Sequence, residues 1–349
     1  MYRLLKLILV VALVAAVLTG GTLVWALESE SDDFAFVPRA AQPTLPVVEL
    51  EGQQPPPAGA GSVLFSTVGV RHASIFETWF GVGDGGELVP AHALVSPGES
   101  DADRSRLDSV AMGGSQETAE VVALRALGYA VVVKPAGVRI IGLSLDAPIR
   151  SDGAVLGDVI IAVDGKTIRT TDDLRQAVRA IGAGKSLAVT VHRDGKALRI
   201  ATHTMTGTDG AVVLGIIPAS ASIVETPRAV TYSVEGVGGP SAGLAFALEI
   251  YSAGKAYANL GGLRVAATGT LAIDGSVGPI GGVAQKTIGA ARANADLFLV
   301  PSDNAEEARA AAPPGVTIVP VGSFSDAVKA ITAATAKRLE NAQYAGNLS

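Results

Sequence analysis

The chain has 349 residues, 48% hydrophobic and 17% charged, which is material for about two folded domains. Its formal net charge of -6, with no basic cluster, argues against nucleic acid as a partner, because phosphate binding rests on massed Lys and Arg. The absence of Cys excludes disulfides and thiol chemistry, and His72, His92, His192 and His203 lie in separate segments without metal-ligand spacing, so no metal or other cofactor is expected.

In chain order, Leu7 to Leu27 carries no charged side chain. At about 1.5 Å per residue this run covers roughly 30 Å, the thickness of a bilayer core, so residues 1–27 are read as a transmembrane anchor. Arg3 and Lys6 precede it and Glu28, Glu30, Asp32 and Asp33 follow, which puts the N-terminus in the cytoplasm and the rest outside the cell membrane. A cleaved signal peptide fits less well: the run is long for an h-region and Trp25-Ala26-Leu27-Glu28 is a poor cleavage site. Residues 28–61, acidic and then rich in Pro, Ala and Gly, read as a semi-rigid tether. Residues 62–128 bear no catalytic motif and read as packing for a later domain, with a strand from Ser62 to Val70, a turn over Gly81 to Gly86 and a helix from Gln116 to Leu127.

Residues 129–206 change pattern. Ala130 to Val133 and Val138 to Leu145 read as strands, a helix runs from Thr171, an N-cap candidate, to Ile181, and a strand from Ser186 to His192 turns at Arg193-Asp194-Gly195-Lys196. Together with Gly157-Asp158-Val159-Ile160 and Val163-Asp164-Gly165, this resembles a PDZ domain of the bacterial protease type. The resemblance implies a groove at Ala136, Gly137, Val138, Arg139, Ile140 and Ile141, where a peptide adds as an extra strand. The residues depart from the family's usual Gly-Leu-Gly-Phe, and packing into a core is the alternative for them. Gly184-Lys185-Ser186 has the tail of a phosphate-binding loop, but Arg179 stands where its first glycine is required, so no nucleotide is expected.

Residues 207–336 hold the chemistry. Ala211 to Ile217 and Ser220 to Val234 read as strands feeding Gly236-Val237-Gly238-Gly239-Pro240-Ser241-Ala242-Gly243, after which Leu244 to Tyr251 reads as helix. Ser241 then sits in a first helical turn, where unpaired N-H groups and the dipole's positive end favour a developing oxyanion. A strand-like run from Val265 to Ile273 leads through Gly278-Pro279-Ile280-Gly281-Gly282 into a helix from Val283 to Asn294 that carries Lys286. Burial would lower the pKa of that lysine from about 10.4 and make it a base for the serine. Strands at Leu297 to Val300 and Val316 to Val319, helices at Asn304 to Ala312 and Ser325 to Ala336, and a polar, frayed tail at 337–349 complete the chain.

Gly-Pro-Ser-Ala-Gly, Ala267-Thr268-Gly269-Thr270, and Asp274 to Gly282 with Lys286 resemble, in order and spacing, the proteolytic domain of Lon-type serine peptidases over residues 225 to 330. The resemblance implies Ser241 as nucleophile, Lys286 as general base and Thr268 as a hydroxyl holding the lysine amine, with the backbone from Gly239 through Pro240 to Ala242 supporting the oxyanion. The position three before the serine, often acidic in that family, is Gly238, so a carboxylate is absent or comes from elsewhere, with Glu235 as one candidate. The expected fold class is α/β (α+β), a Lon-type proteolytic domain with a PDZ domain behind one transmembrane helix. The expected function is ATP-independent cleavage of extended or unfolded extracytoplasmic proteins, with six-membered rings implied by resemblance; the alternative is a non-catalytic, membrane-tethered PDZ scaffold.

Overall fold

The structure, a computed structural model, describes residues 20–45, 47–95, 99–234 and 236–346. It opens with helix α1 (residues 20–28). No helix among the described residues is long and apolar enough to cross a membrane. The predicted anchor falls outside the described residues except at 20–27.

The predicted tether is instead built into the fold. It forms β1 (Glu30–Pro38), β2 (Gln42–Pro43) and β3 (Val48–Leu50), with Phe34, Ala35, Val48 and Leu50 buried. Pro38 and Pro43 end β1 and β2, and Pro55 to Pro57 with the glycines, which dominated the composition, follow β3, while the short runs Phe34-Ala35-Phe36-Val37 and Val48-Glu49-Leu50 supply the apolar faces. The single strand expected from Ser62 breaks after Phe65 into β4 (Ser62–Phe65) and β5 (Val68–Ser74), which join different sheets. Then come α2 (Ile75–Phe80), β6 (Glu87–Val89), α3 (Ala91–Leu94) and α4 (Asp101–Ala126). Strands β5, β1 and β6 make a three-stranded antiparallel sheet. Helix α4 spans 26 residues, about 39 Å, twice the length its periodicity announced. Its first half is polar and contains Gly113-Gly114, so it shows no apolar stripe, yet Ser100 and Asp103 close a capping box that fixes its start.

The second unit contains β7 (Val132–Leu143), α5 (Pro148–Ser151), β8 (Val159–Val163), β9 (Lys166–Thr167), α6 (Thr171–Ile181), β10 (Ser186–Arg193), β11 (Lys196–His203), β12 (Met205–Thr206), β13 (Val212–Val213) and β14 (Ile216–Glu225). The main sheet runs β11-β10-β8-β7-β14 around a core that includes Val138, Ile140, Ile160, Leu174, Val178 and Val189. The cap of α6 is Thr170, one residue before the expected Thr171, in a box with Asp173. The β10–β11 turn is as read, with Asp194 and Gly195 both at positive φ, as a two-residue hairpin of this twist requires. Asp158, fully buried in its side chain, takes two bonds from Arg193, at 2.6 and 2.7 Å, and one from the Val155 amide. Gly184-Lys185-Ser186 runs from a helix into a strand, the reverse of the order a phosphate-binding loop needs.

The third unit comprises β15 (Val230–Tyr232), a 3-10 turn (Pro240–Ala242), α7 (Gly243–Gly254), β16 (Arg264–Ala267), β17 (Thr270–Leu271), β18 (Val277–Gly278), α8 (Val283–Arg292), β19 (Leu297–Pro301), α9 (Ala305–Ala311), β20 (Thr317–Val321) and α10 (Phe324–Gly346). The strand expected from Ser220 to Val234 is thus two, β14 and β15, and that expected from Val265 to Ile273 is also two. The sheet order is β2-β4-β16-β19-β20, parallel from β4 onward. Alternation divides the core between its faces: Val63, Phe65, Val265, Ala267 and Leu299 meet α4 and α7, while Leu64, Ala266, Phe298 and Val300 meet α8 and α9. The result is a helix-sheet-helix sandwich. Helix α10 runs on through residue 346, where a frayed tail was expected, because Ala333 to Ala342 are mostly good helix formers and Arg338 lies 3.5 Å from Asp296.

Candidate active site

Thr268 follows the last residue of β16, at the carboxyl end of the parallel sheet, where open α/β sheets place their ligands. It has no exposed surface, and its amide bonds Leu299 O at 3.0 Å. From there the loop grips the serine turn. Thr268 Oγ1 donates to Ser241 O at 3.2 Å, the Gly269 amide donates to the same oxygen at 2.9 Å, and the Leu244 amide returns to Gly269 O at 3.3 Å. Thr268 thus holds the serine's backbone, where resemblance implied that it holds the lysine's amine.

A second grip comes from α4, which the sequence did not announce. Ser115 Oγ donates to Pro240 O at 3.1 Å, and the Gly239 amide donates to Asp108 O at 3.0 Å. Glycine is required beside both contacts: a Cβ on Gly238 would lie 2.6 Å from Asp108 Cβ, and one on Gly243 would lie 2.8 Å from Ser115 Oγ. The Asp108 carboxyl thus stands against Gly238, the position where an acidic residue was expected. Burial pushes its pKa up, partly opposed by Arg104 and reinforced by Glu99. Glu235, the other candidate, lies outside the described residues. The one sequence signal for Asp108 was the glycine itself, which leaves room for a side chain from another element.

Because the Gly239 N-H is taken by Asp108 and Pro240 has none, these two residues do not serve as the expected oxyanion donors. That corrects the reading of Gly239 to Ala242 as a common cradle. Ser241 N-H heads the 3-10 turn, the half-buried serine sits at its centre, and Ala242 is buried beneath it.

Lys286 lies in the first turns of α8, which starts after Gly282 in the left-handed conformation. Its side chain is 4% exposed, and among the described residues it makes no hydrogen bond or ion pair. Burial lowers its pKa from 10.5 to about 8. About one lysine in ten is then neutral at pH 7, against roughly one in a few thousand in water. No hydrogen bond joins Ser241 Oγ to Lys286 Nζ; what is brought together is Ser241 with Thr268, Gly269 and α4.

The expected PDZ groove is closed on its free edge. Strand β14 pairs antiparallel with β7 from Ile216↔Leu143 to Glu225↔Val132, covering Gly137, Val138, Arg139 and Ile140, while β8 takes Val138 and Arg139 from the other side. Val138 and Ile140 are buried core, and Ile141 is exposed. A peptide therefore adds here only by displacing β14. Two clefts flank α4. One of about 730 Å³ beside the serine loop is lined by Phe34, Phe36, Val70, Leu94, Asp108 and Gly238. The other, about 530 Å³, separates α4 from the PDZ unit, with Arg106, Glu117, Arg139 and His192 in its walls.

Two segments of the chain match known families. Residues 125–204 match the PDZ domain family, and residues 234–330 match the Lon protease (S16) C-terminal proteolytic domain. A probable periplasmic serine endoprotease DegP-like of Pseudomonas fulva is 37% identical over 79 residues, 22% of this chain. The chain spans 16% of the length of that curated relative. Among solved structures, the PDZ domain of the SdrC-like protein from Listeria monocytogenes is 18% identical, covering 24% of this chain and 88% of its own, with a TM-score of 0.23. The PDZ domain of the SdrC-like protein from Listeria innocua is 17% identical, covering 24% and 92%, with a TM-score of 0.22. The chain carries a PDZ domain followed by a Lon-type C-terminal proteolytic domain.

Proposed function

We propose that the chain is an ATP-independent serine endopeptidase in which Ser241 is the nucleophile and Lys286 the base. The observation that carries this reading is Lys286 itself: a buried amine with no counter-ion, its pKa brought to about 8, in the domain that presents Ser241 on a held turn. Such a lysine costs stability as a structural residue and serves well as a general base.

Neutral Lys286 takes the proton of Ser241 as Oγ attacks the peptide carbonyl, and the Ser241 amide faces the charge that develops on the carbonyl oxygen. The ammonium returns that proton to the leaving amine. Water, deprotonated by the same lysine, then hydrolyses the acyl-enzyme. Catalytic hydrogen bonds are often unmade before substrate binds, which accommodates the absence of a Ser241–Lys286 bond here. The cleft beside Gly236 to Gly238, lined by both apolar and charged side chains, suits an extended chain. Substrates are unfolded or extended extracytoplasmic polypeptides, since the charge-free run Leu7 to Leu27 and its flanking charges favour an anchor with the catalytic domain outside. Assembly into rings is carried by the resemblance to Lon-type domains. The scaffold reading loses ground because β14 occupies the edge a PDZ scaffold would offer.

The test is cleavage of an unfolded protein by the full chain and by Ser241→Ala, with folding checked by circular dichroism. Loss of cleavage in a folded variant is expected; cleavage at the wild-type rate overturns the proposal.

A further inference from the structure

Helix α2, Ile75-Phe76-Glu77-Thr78-Trp79-Phe80, buries none of its residues. Trp79 is 61% exposed and Phe80 71%, and the Phe76 ring stacks on Phe80 at 4.6 Å. Six residues rarely hold a helix in water, but a capping box between Ser74 and Glu77 closes this one at its start. The rings are therefore presented on a fixed support.

Position gives the patch a partner. The Ile75 amide donates to Ser29 O at 2.9 Å, the Ser29 amide donates to Trp25 O at 2.8 Å, and Glu30 pairs with Ser74. Ser29 lies two residues past the charge-free run that ends at Leu27, and Trp25, within that run, is itself half exposed. Helix α2 is about 9 Å long at 1.5 Å per residue, and the headgroup zone on each side of a bilayer core is about 5–7 Å deep. A helix that starts one hydrogen bond from Ser29 therefore begins within reach of that zone if the charge-free run spans the bilayer.

We propose that α2 is a membrane foot, seating Trp79 and Phe80 in the interfacial zone of the outer bilayer face. This rests on the anchor reading above. Tryptophan favours that level, with its ring among the headgroups, and phenylalanine buries its ring at the acyl boundary just beneath. Charge does not drive the contact. Arg71, on the strand before α2, is bound by Glu77 through two bonds of 2.7 and 2.5 Å, and Glu28, Glu30, Asp32 and Asp33 would repel anionic lipid. The favoured surface is one of uncharged headgroups. Val70 and Arg71, on the strand before α2, also line the cleft beside the serine loop, so the foot would hold that cleft near the membrane.

The chain has two tryptophans, Trp25 and Trp79, which makes the test direct. The full chain is reconstituted in phosphatidylcholine vesicles with and without acyl-brominated lipid, as Trp25→Phe to report Trp79 and as Trp79→Phe to report Trp25. Blue-shifted Trp79 emission, quenched by shallow bromines and unchanged by salt, is expected, with a smaller shift in Trp25→Phe combined with Phe80→Ser. Quenching of Trp25 alone overturns the foot and leaves the anchor standing. Quenching of neither overturns both. Trp79 emission that is shielded from aqueous quenchers but blind to brominated lipid, and dependent on protein concentration, assigns the patch to a second copy and overturns the proposal.

Discussion

Asp108 accepts the Gly239 amide through its backbone while its carboxyl lies against Gly238, so the turn bearing Ser241 hangs from a helix that precedes the PDZ domain. The same helix reaches Pro240 through Ser115, Tyr232 through Gln116 O and Thr226 through Glu120. It also walls the cleft shared with the PDZ unit. Helix α4 therefore touches both the serine turn and the PDZ unit.

Gly238→Ala tests that suspension. Its Cβ would meet Asp108 Cβ at 2.6 Å, closer than carbon atoms approach, and Cγ at 3.3 Å, so the loop or the helix must move. Overpacking of this kind costs about 1–3 kcal/mol. Displacing a nucleophile by about 1 Å costs roughly 10²-fold in rate. Peptidase activity should fall far more than the thermal midpoint; a full wild-type rate would mean that the turn is not held by α4.

The pH-rate profile follows from Lys286. In the proposed mechanism the neutral amine is the working form, and burial sets its pKa at about 8. Below that pH the rate should rise about tenfold per unit and level off above it. Lys286→Arg, which stays protonated, should be inactive throughout. A flat profile between pH 6 and 9, as about the range to scan, would remove the lysine from its role.

Two buried groups bend stability with pH in opposite directions. Burial raises the Glu249 carboxyl from 4.5 to about 7, against a 2.8 Å bond from Tyr257. The folded chain keeps that proton longer than the unfolded one, so stability falls as pH rises from about 4.5 to 7. Lys286 is lowered from 10.5 to about 8; the unfolded chain binds the proton over that window, so stability rises from about pH 8 to 10.5. Each swing is about 3 kcal/mol at 1.36 kcal/mol per pH unit. Denaturant unfolding should show a trough between about pH 7 and 8. Glu249→Gln should raise stability on its alkaline side, and Lys286→Met should raise it at pH 7 while abolishing activity.

The sequence carried the two turns where their signal is local. Ser241 sits in a glycine-marked turn leading into α7 and Lys286 in the first turns of α8, behind another such turn, so both elements are found at the expected positions. Asp158 of the PDZ-like motif has a physical reason as well, the buried bond to Arg193. What could not be read depends on distant partners. Asp108 and Ser115 are unremarkable polar residues until α4 lies across the serine turn. Val48 and Leu50 were hidden by the prolines that follow them, and their burial depends on β15, far along the chain. The groove was misjudged for a related reason: the strand that fills it, β14, begins after the PDZ boundary expected at residue 206.

Hydrogen exchange tests that occupied groove. With β14 on one edge and β8 on the other, the β7 amides between Gly137 and Ile140 should exchange slowly in the free protein. Strand addition by a peptide requires β14 to leave, and β14 ends sixteen residues before Ser241, so its release would free the segment leading to the serine turn. An extended apolar peptide that binds at β7 should speed exchange in Ile216 to Glu225 while leaving β7 protected, and should alter the rate of cleavage of a separate reporter peptide. Protection of β7 and β14 together, with bound peptide and unchanged cleavage, would show that the ligand sits elsewhere and that β14 is a permanent strand of the sheet.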